Sequence, residues 1–310
     1  MSARVSLVLG SGGARGLAHI GAIRCLEDHG FEIGYISGCS IGALIGGIYA
    51  AGELDTYADW VCALQKRDVV RLLDWSFSRG AVFSGNRIID VLKGMIGDRR
   101  IEDLPIGFTA VATELADKRE VWLNKGSLFD AIRASIAVPL VFAPVERDGH
   151  VLVDGGLINP VPIAPTLNDP SALTIAVDLN GRAERLQNDS GDSADESSEA
   201  PAADGAVSER LLWLRGKIGA WIDSVLPAHS EAGAAYPSAI DLALASMDAM
   251  QTTIARLKLA AYTPRLLVEV PRNLSTFFEF HRAKELIDFG YQRTQETLER
   301  SDFPNEFDRS

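Results

Sequence analysis

Cysteine is scarce in this chain. Cys25, Cys39 and Cys62 are odd in number and keep no metal-ligand spacing, so the sequence predicts buried free thiols rather than a disulfide framework or a zinc site. Long apolar runs are absent too: no stretch reaches the eighteen or so unbroken apolar residues of a membrane span. The first apolar run, residues 5–9, ends in glycines with no cleavage region behind it, which predicts a cytoplasmic protein. Basic residues are outnumbered, 30 Lys and Arg against 42 Asp and Glu, for a net charge of -12. That balance opposes nucleic acid and, globally, anionic membrane surfaces. Peripheral lipid contact, at the inner face of the membrane, therefore has to come from local apolar or basic patches. HExxH, cysteine clusters and acidic calcium loops are missing as well, so neither a metal nor a cofactor is expected. No internal repeat is visible.

What remains is an ordinary globular composition, 47% hydrophobic and 23% charged, on a chain of 310 residues long enough for one large α/β domain. Residues 5–9 (VSLVL) read as a buried strand, and 17–29 show helical spacing through Ile20, Ile23 and Leu26. Residues 55–73 predict one or two helices, 87–95 another. Residues 108–113 (FTAVAT) predict a central strand, apolar on both faces, and 120–123 (EVWL) a further strand. A short helix over 128–135 is followed by strands at 151–153 and 173–179. Strand and helix alternate through about residue 180, which predicts a three-layer α/β/α architecture with a mostly parallel central sheet.

The chemistry starts at residues 33–52, IGYISGCSIGALIGGIYAAG. An apolar run meets Gly38-Cys39-Ser40-Ile41-Gly42, and a small-residue helix follows. A serine on a sharp strand-to-helix turn needs nearly side-chain-free neighbours two residues away, which Gly38 and Gly42 supply. The turn holds the Ser40 hydroxyl at a helix N-terminus, where free N–H groups favour developing negative charge. Ser40 is the candidate nucleophile.

A second glycine stretch, residues 10–16, follows the first strand. Arg15 stands where the dinucleotide fingerprint needs a glycine, and the P-loop lysine is absent, so a nucleotide reading is weak. The loop does offer unobstructed backbone N–H groups, a nest for an anion or oxyanion. Arg15 is read as holding the loop or attracting an anionic head group, with pairing to a nearby carboxylate as the plainer alternative. Asp154 stands where a strand runs into Gly155-Gly156, placed like a catalytic group, although a turn aspartate bonding its own loop has the same signature. Of the five histidines only His229 and His281 follow Asp154 in the Ser…Asp…His order, and neither sits in a short loop after a strand. His150 lies about 13 Å from Asp154 along an extended strand. No base completes a triad.

Ser40 in an elbow, a glycine nest and Asp154 in D-G-G, in this order, resemble the patatin-like phospholipase family. Ala112-Thr113, Ala134-Ser135, Pro139, Phe142-Ala143-Pro144 and Asn159-Pro160 extend the resemblance over residues 5 to about 180, with a weaker echo at 280–286. One departure is Ser11, in a loop that is often all glycine. The resemblance implies a serine esterase or phospholipase acting on acyl esters of lipids through a Ser40–Asp154 dyad without histidine. Asp154 would take the Ser40 proton, and N–H groups around Gly12, Gly13 and Ala14 would hold the oxyanion. Gly10, Gly16, Gly38, Gly42, Gly155 and Gly156 are the motif glycines. The competing reading is a lipid-sensing protein on the same fold with little turnover.

Residues 182–206, rich in Asp, Glu, Ser and Ala, predict a flexible linker between a core of residues 1–181 and a helical part, residues 207–310, packing on it. Val207, Leu211, Leu214, Ile218 and Trp221 fall on one helical stripe; Leu212 and Trp213 lie off it and offer a lid, a membrane contact or a homo-oligomer face. Residues 241–259 predict an amphipathic helix whose apolar positions are Leu242, Met247, Met250, Ile254 and Leu257. A strand at 266–270 and a closing helix over 280–300 complete the chain.

Overall fold

The computed structural model describes residues 3–74, 81–169, 173–185 and 239–301. The chain divides into a unit of residues 1–183 with 245–310 and a unit of residues 184–244. The expected linker beyond Arg185 and the stripe at 207–226 lie outside the described residues.

The first unit is built on one large sheet. In chain order its described elements are β1 (Ala3–Leu9), α1 (Ala18–Asp28), β2 (Phe31–Cys39), α2 (Ile41–Ala50), α3 (Leu54–Cys62), α4 (Lys66–Leu72), β3 (Ala81–Phe83), α5 (Asn86–Ile96), β4 (Gly107–Glu114) and β5 (Arg119–Leu123). Then come α6 (Leu128–Ser135), β6 (Leu140–Phe142), β7 (Val145–Arg147), β8 (His150–Asp154), β9 (Leu173–Gly181), α7 (Ala239–Ala261), β10 (Leu266–Pro271) and α8 (Ala283–Arg300). α7 belongs to this unit from Ala245 onward. The sheet order is β10-β9-β1-β2-β4-β8-β7, with β5 also on β4. The five strands from β10 to β4 run parallel. Their residues are buried on both faces, as Val5, Leu7, Val8 and Leu9 of β1 show, because helices cover both sides of a parallel sheet.

The expected α/β architecture with a mostly parallel sheet is therefore what the chain adopts. One edge differs: β5, β7 and β8 are antiparallel. For β4–β5 and β7–β8 the reason is connection length, since a parallel neighbour needs a crossover of a dozen residues or more. β7 and β8 are joined through Asp148-Gly149, both at positive φ (52° and 78°), the backbone of a tight hairpin turn. β3 and β6 form a separate two-stranded parallel ribbon.

The helix over 239–261 corrects one expectation. Its periodicity holds, but Met250 and Leu257 are exposed. The packed face keeps Met247 and Ile254 half-buried and also takes in Asp248, Gln251, Thr252, Ala255 and Lys258. Ala255 joins Val8, Val161, Ile163 and Ala176 in a buried cluster, with Leu259 against it. This face carries polar side chains because it lies over loops at the ends of the strands.

Candidate active site

Sheet register creates the site. Cys39 pairs with Val111 across β2 and β4, and Ala112 pairs with Asp154 across β4 and β8. The C-terminal end of β2 and the C-terminal end of β8 are thus brought to one place, beside the loop that leaves β1. Crevices at the carboxyl ends of parallel strands are where α/β folds bind ligands.

Ser40 sits between β2 and α2 at φ 55° and ψ -126°, a left-handed conformation that costs a non-glycine residue about 1–3 kcal/mol. Its surroundings hold it there. The Ser40 N–H donates to Ser135 Oγ at 2.9 Å, and Ser135 in turn donates to the Val111 carbonyl at 2.6 Å. The Ser40 carbonyl accepts from the amides of Ala43 and Leu44. The flanking glycines are required by space: a Cβ on Gly38 would lie 2.4 Å from the Gly42 carbonyl oxygen, and one on Gly42 would lie 2.1 Å from that of Leu9.

Asp154 is fully buried. Its Oδ1 accepts the Gly156 N–H at 2.7 Å and faces Cys39 Sγ at 4.0 Å. Oδ2 is buried and has no hydrogen-bond partner among the described residues. Burial pushes the carboxyl up to about 7, against the Ser40 hydroxyl and the Gly156 amide, which favour the ionised form. The Cys39 thiol is held protonated, first by burial and then by the Asp154 and Glu120 charges.

The glycine loop wraps the other side. The Gly10 amide donates to the Val177 carbonyl, that of Ser11 to Pro160 and that of Ala14 to Phe277. The amides of Gly12 and Gly13 have no acceptor among the described residues. Ala14 is therefore an anchor of the loop, and the open donors are its two neighbours. Gly13 takes φ 57°, and Gly16 lies under Ile41 of α2, too close for any side chain. Arg15 is buried and donates to the Arg272 carbonyl at 2.7 Å and to Asp248 Oδ1 at 2.8 Å. The carboxylate pairing is thus the structural role it takes.

Sequence reasoning missed several supports. His19 is fully buried under the loop, and its Nε2 bonds the Gly10 carbonyl at 2.9 Å. A carbonyl only accepts, so Nε2 carries the proton; burial holds the ring neutral, lowered to about 4. Asn159 donates to Glu120 at 2.6 Å, and Lys258 of α7 completes that cluster. An apolar cavity of about 90 Å³ opens beside Ser40 and Gly13, lined by Leu44, Tyr57, Trp60, Leu72, Phe142 and Phe277 among others. It was invisible in the sequence because its wall comes from six separate segments. Among the described residues no group of His, Cys, Asp or Glu is placed to hold a metal ion, and no helix is long and apolar enough to cross a membrane.

Comparison with known proteins adds relatives. The family model described as patatin-like phospholipase matches residues 7–167. An uncharacterized NTE family protein of Mycobacterium tuberculosis is 38% identical over 331 residues, covering 96% of this chain and 92% of its own length. Neuropathy target esterase of Drosophila melanogaster is 31% identical over 185 residues, 57% of this chain and 13% of that protein. The crystal structure of VipD from Legionella pneumophila aligns with a TM-score of 0.46 at 13% identity, over 96% of this chain and 67% of that one.

Proposed function

The chain belongs to the patatin-like phospholipase family, generally hydrolases of lipid esters, and from that premise we propose that it cleaves carboxylic esters of lipids with Ser40 as nucleophile and Asp154 as base. The observation that carries the reading is the unpartnered Asp154 Oδ2, buried beside the strained serine. A carboxyl near 7 is a far better base toward a serine hydroxyl than one near 4, because a matched pKa raises the driving force for proton transfer. In the reaction Asp154 takes the hydroxyl proton while Ser40 Oγ adds to the ester carbonyl. The negative charge that forms on the carbonyl oxygen is received by the Gly12 and Gly13 amides, which have no other acceptor among the described residues. Collapse expels the alcohol, which takes the proton back, and leaves an acyl-serine. Water, deprotonated by the same carboxylate, then releases the acid.

The apolar cavity supports an acyl chain as the group bound next to the carbonyl, since each buried methylene contributes about 0.8 kcal/mol. The same cavity would serve a lipid-sensing protein, but sensing has no use for a strained serine facing a buried carboxylate.

A fluorophosphonate with an alkyl chain tests this reading. Mass spectrometry of the digested adduct is expected to place the label on Ser40, with none on the Ser40→Ala protein. A label elsewhere, or an unlabelled wild type that is folded, would overturn it.

A further inference from the structure

Ser11 is a residue of the glycine loop that the mechanism above leaves unused, and it stands where similar loops often carry glycine. A serine in such a loop costs nothing by being there, so the question is what its hydroxyl does. The hydroxyl is buried and donates to Gln251 Oε1 of α7 at 3.1 Å. Its backbone amide is held separately by the Pro160 carbonyl at 2.9 Å. With His19 on the Gly10 carbonyl, it is one of two side-chain tethers described on the stretch from Gly10 to Gly13, and the one adjacent to the open amides.

Gln251 reaches past Ser11 toward the other half of the dyad. A single point beside the Gly156 Cα has Ser11 Oγ at 2.8 Å, Asp154 Oδ1 at 2.9 Å and Gln251 Nε2 at 2.9 Å. Glycine loop, aspartate loop and α7 therefore converge there through three polar groups. The rest of the same helix face is committed to the same two loops: one turn earlier Asp248 holds Arg15, and two turns later Lys258 holds Glu120, which accepts from Asn159.

We propose that Gln251, acting through the Ser11 hydroxyl, is a positioning residue that latches the oxyanion loop at a fixed distance from the Ser40–Asp154 pair. The physical need is plain. A loop with four glycines in seven residues has much backbone freedom to lose, whereas oxyanion donors act only when aimed within about 0.5 Å. A tether on the residue just before the donors removes that freedom where it matters most. The inference rests on the function proposed above and assigns it a part supplied from outside residues 7–167, the region that the family model matches.

The test uses the full chain, a short-chain nitrophenyl ester, and an alkyl trifluoromethyl ketone that mimics the tetrahedral state. Ser11→Ala, Gln251→Leu and the double variant are compared with wild type, with Ser40→Ala in parallel. The latch predicts that each single variant loses about 10-fold in kcat, with KM within about twofold, and binds the ketone about 10-fold more weakly. Because the two groups act as one device, the double variant is expected to lose no more than either single variant. Wild-type kcat in either folded variant, or losses that multiply to about 100-fold, would overturn the latch. If Gln251→Leu fails to fold, Ser11→Ala alone decides, since it removes one oxygen and keeps the backbone. Residual hydrolysis in Ser40→Ala would overturn the dyad itself, and the latch with it; its loss beside unimpaired latch variants removes the latch alone.

Discussion

Asp154 is built against stability. Its carboxyl is pushed up to about 7 from the ordinary 3.8 by burial, so the folded state binds a proton that the unfolded chain releases, and stability falls as pH rises from about 4 through about 7. Asp154→Asn removes that penalty, and its unfolding free energy in urea is expected to exceed wild type by up to roughly 4 kcal/mol at pH 8. The gain should vanish near pH 4, where wild type is protonated too. The same group must be ionised to accept the serine proton, so kcat/KM is expected to fall tenfold per pH unit on the acid side of a midpoint near 7. A midpoint near 4 would mean that burial does not raise the Asp154 carboxyl. His19 acts in the opposite sense: lowered to about 4 in the fold, it resists a proton that the unfolded chain takes up, so stability is lost as pH falls from about 6.5 toward 4. Ser40, Asp154 and the loop glycines were legible because each answers a backbone demand written locally in five or six residues. Ser11–Gln251 was not, since a serine and a glutamine 240 residues apart carry no mutual signal, and neither did the loss of the Ala14 amide to Phe277.

The elements that carry the site are held by close approach. α2 lies so near β1 that Gly42→Ala would force a methyl to within 2.1 Å of the Leu9 carbonyl oxygen, and a destabilisation of about 1–3 kcal/mol is expected in urea unfolding. A variant as stable as wild type would show that the two elements can separate. One turn beyond the nucleophile, Leu44 lines the apolar cavity. Leu44→Trp should shift kcat/KM from octanoyl toward acetyl esters by about 10-fold or more, because a filled cavity no longer receives the chain; unchanged preference would place the acyl chain elsewhere. Helices and long strands were legible from periodicity. The Asp148-Gly149 hairpin had its turn signal in view, but its strand β7 has only three residues, too few to show alternation. In α7 the period was readable while the face was only partly so: Met247, Ile254 and Ala255 turn inward, but Asp248, Gln251 and Lys258 share that face to meet the charged and amide groups of two loops.

At the scale of the molecule, a net charge of -12 disfavours spontaneous binding to anionic lipid. A substrate drawn from such a surface has to be reached through apolar or basic patches, and the cavity beside Ser40 is the apolar feature nearest the chemistry. The α/β class followed from alternation of strand and helix, a signal that accumulates over the chain. The antiparallel edge and the return of β10 and α8 to the sheet depend on contacts between distant segments, which no local pattern encodes. The most direct test of the account is hydrolysis of a short-chain nitrophenyl ester at pH 8 by wild type, Ser40→Ala and Asp154→Asn, with folding checked by circular dichroism. Both variants are expected to remain folded and to lose about 1,000-fold or more in kcat/KM. An inactive wild type, or full activity in Asp154→Asn, would contradict the dyad.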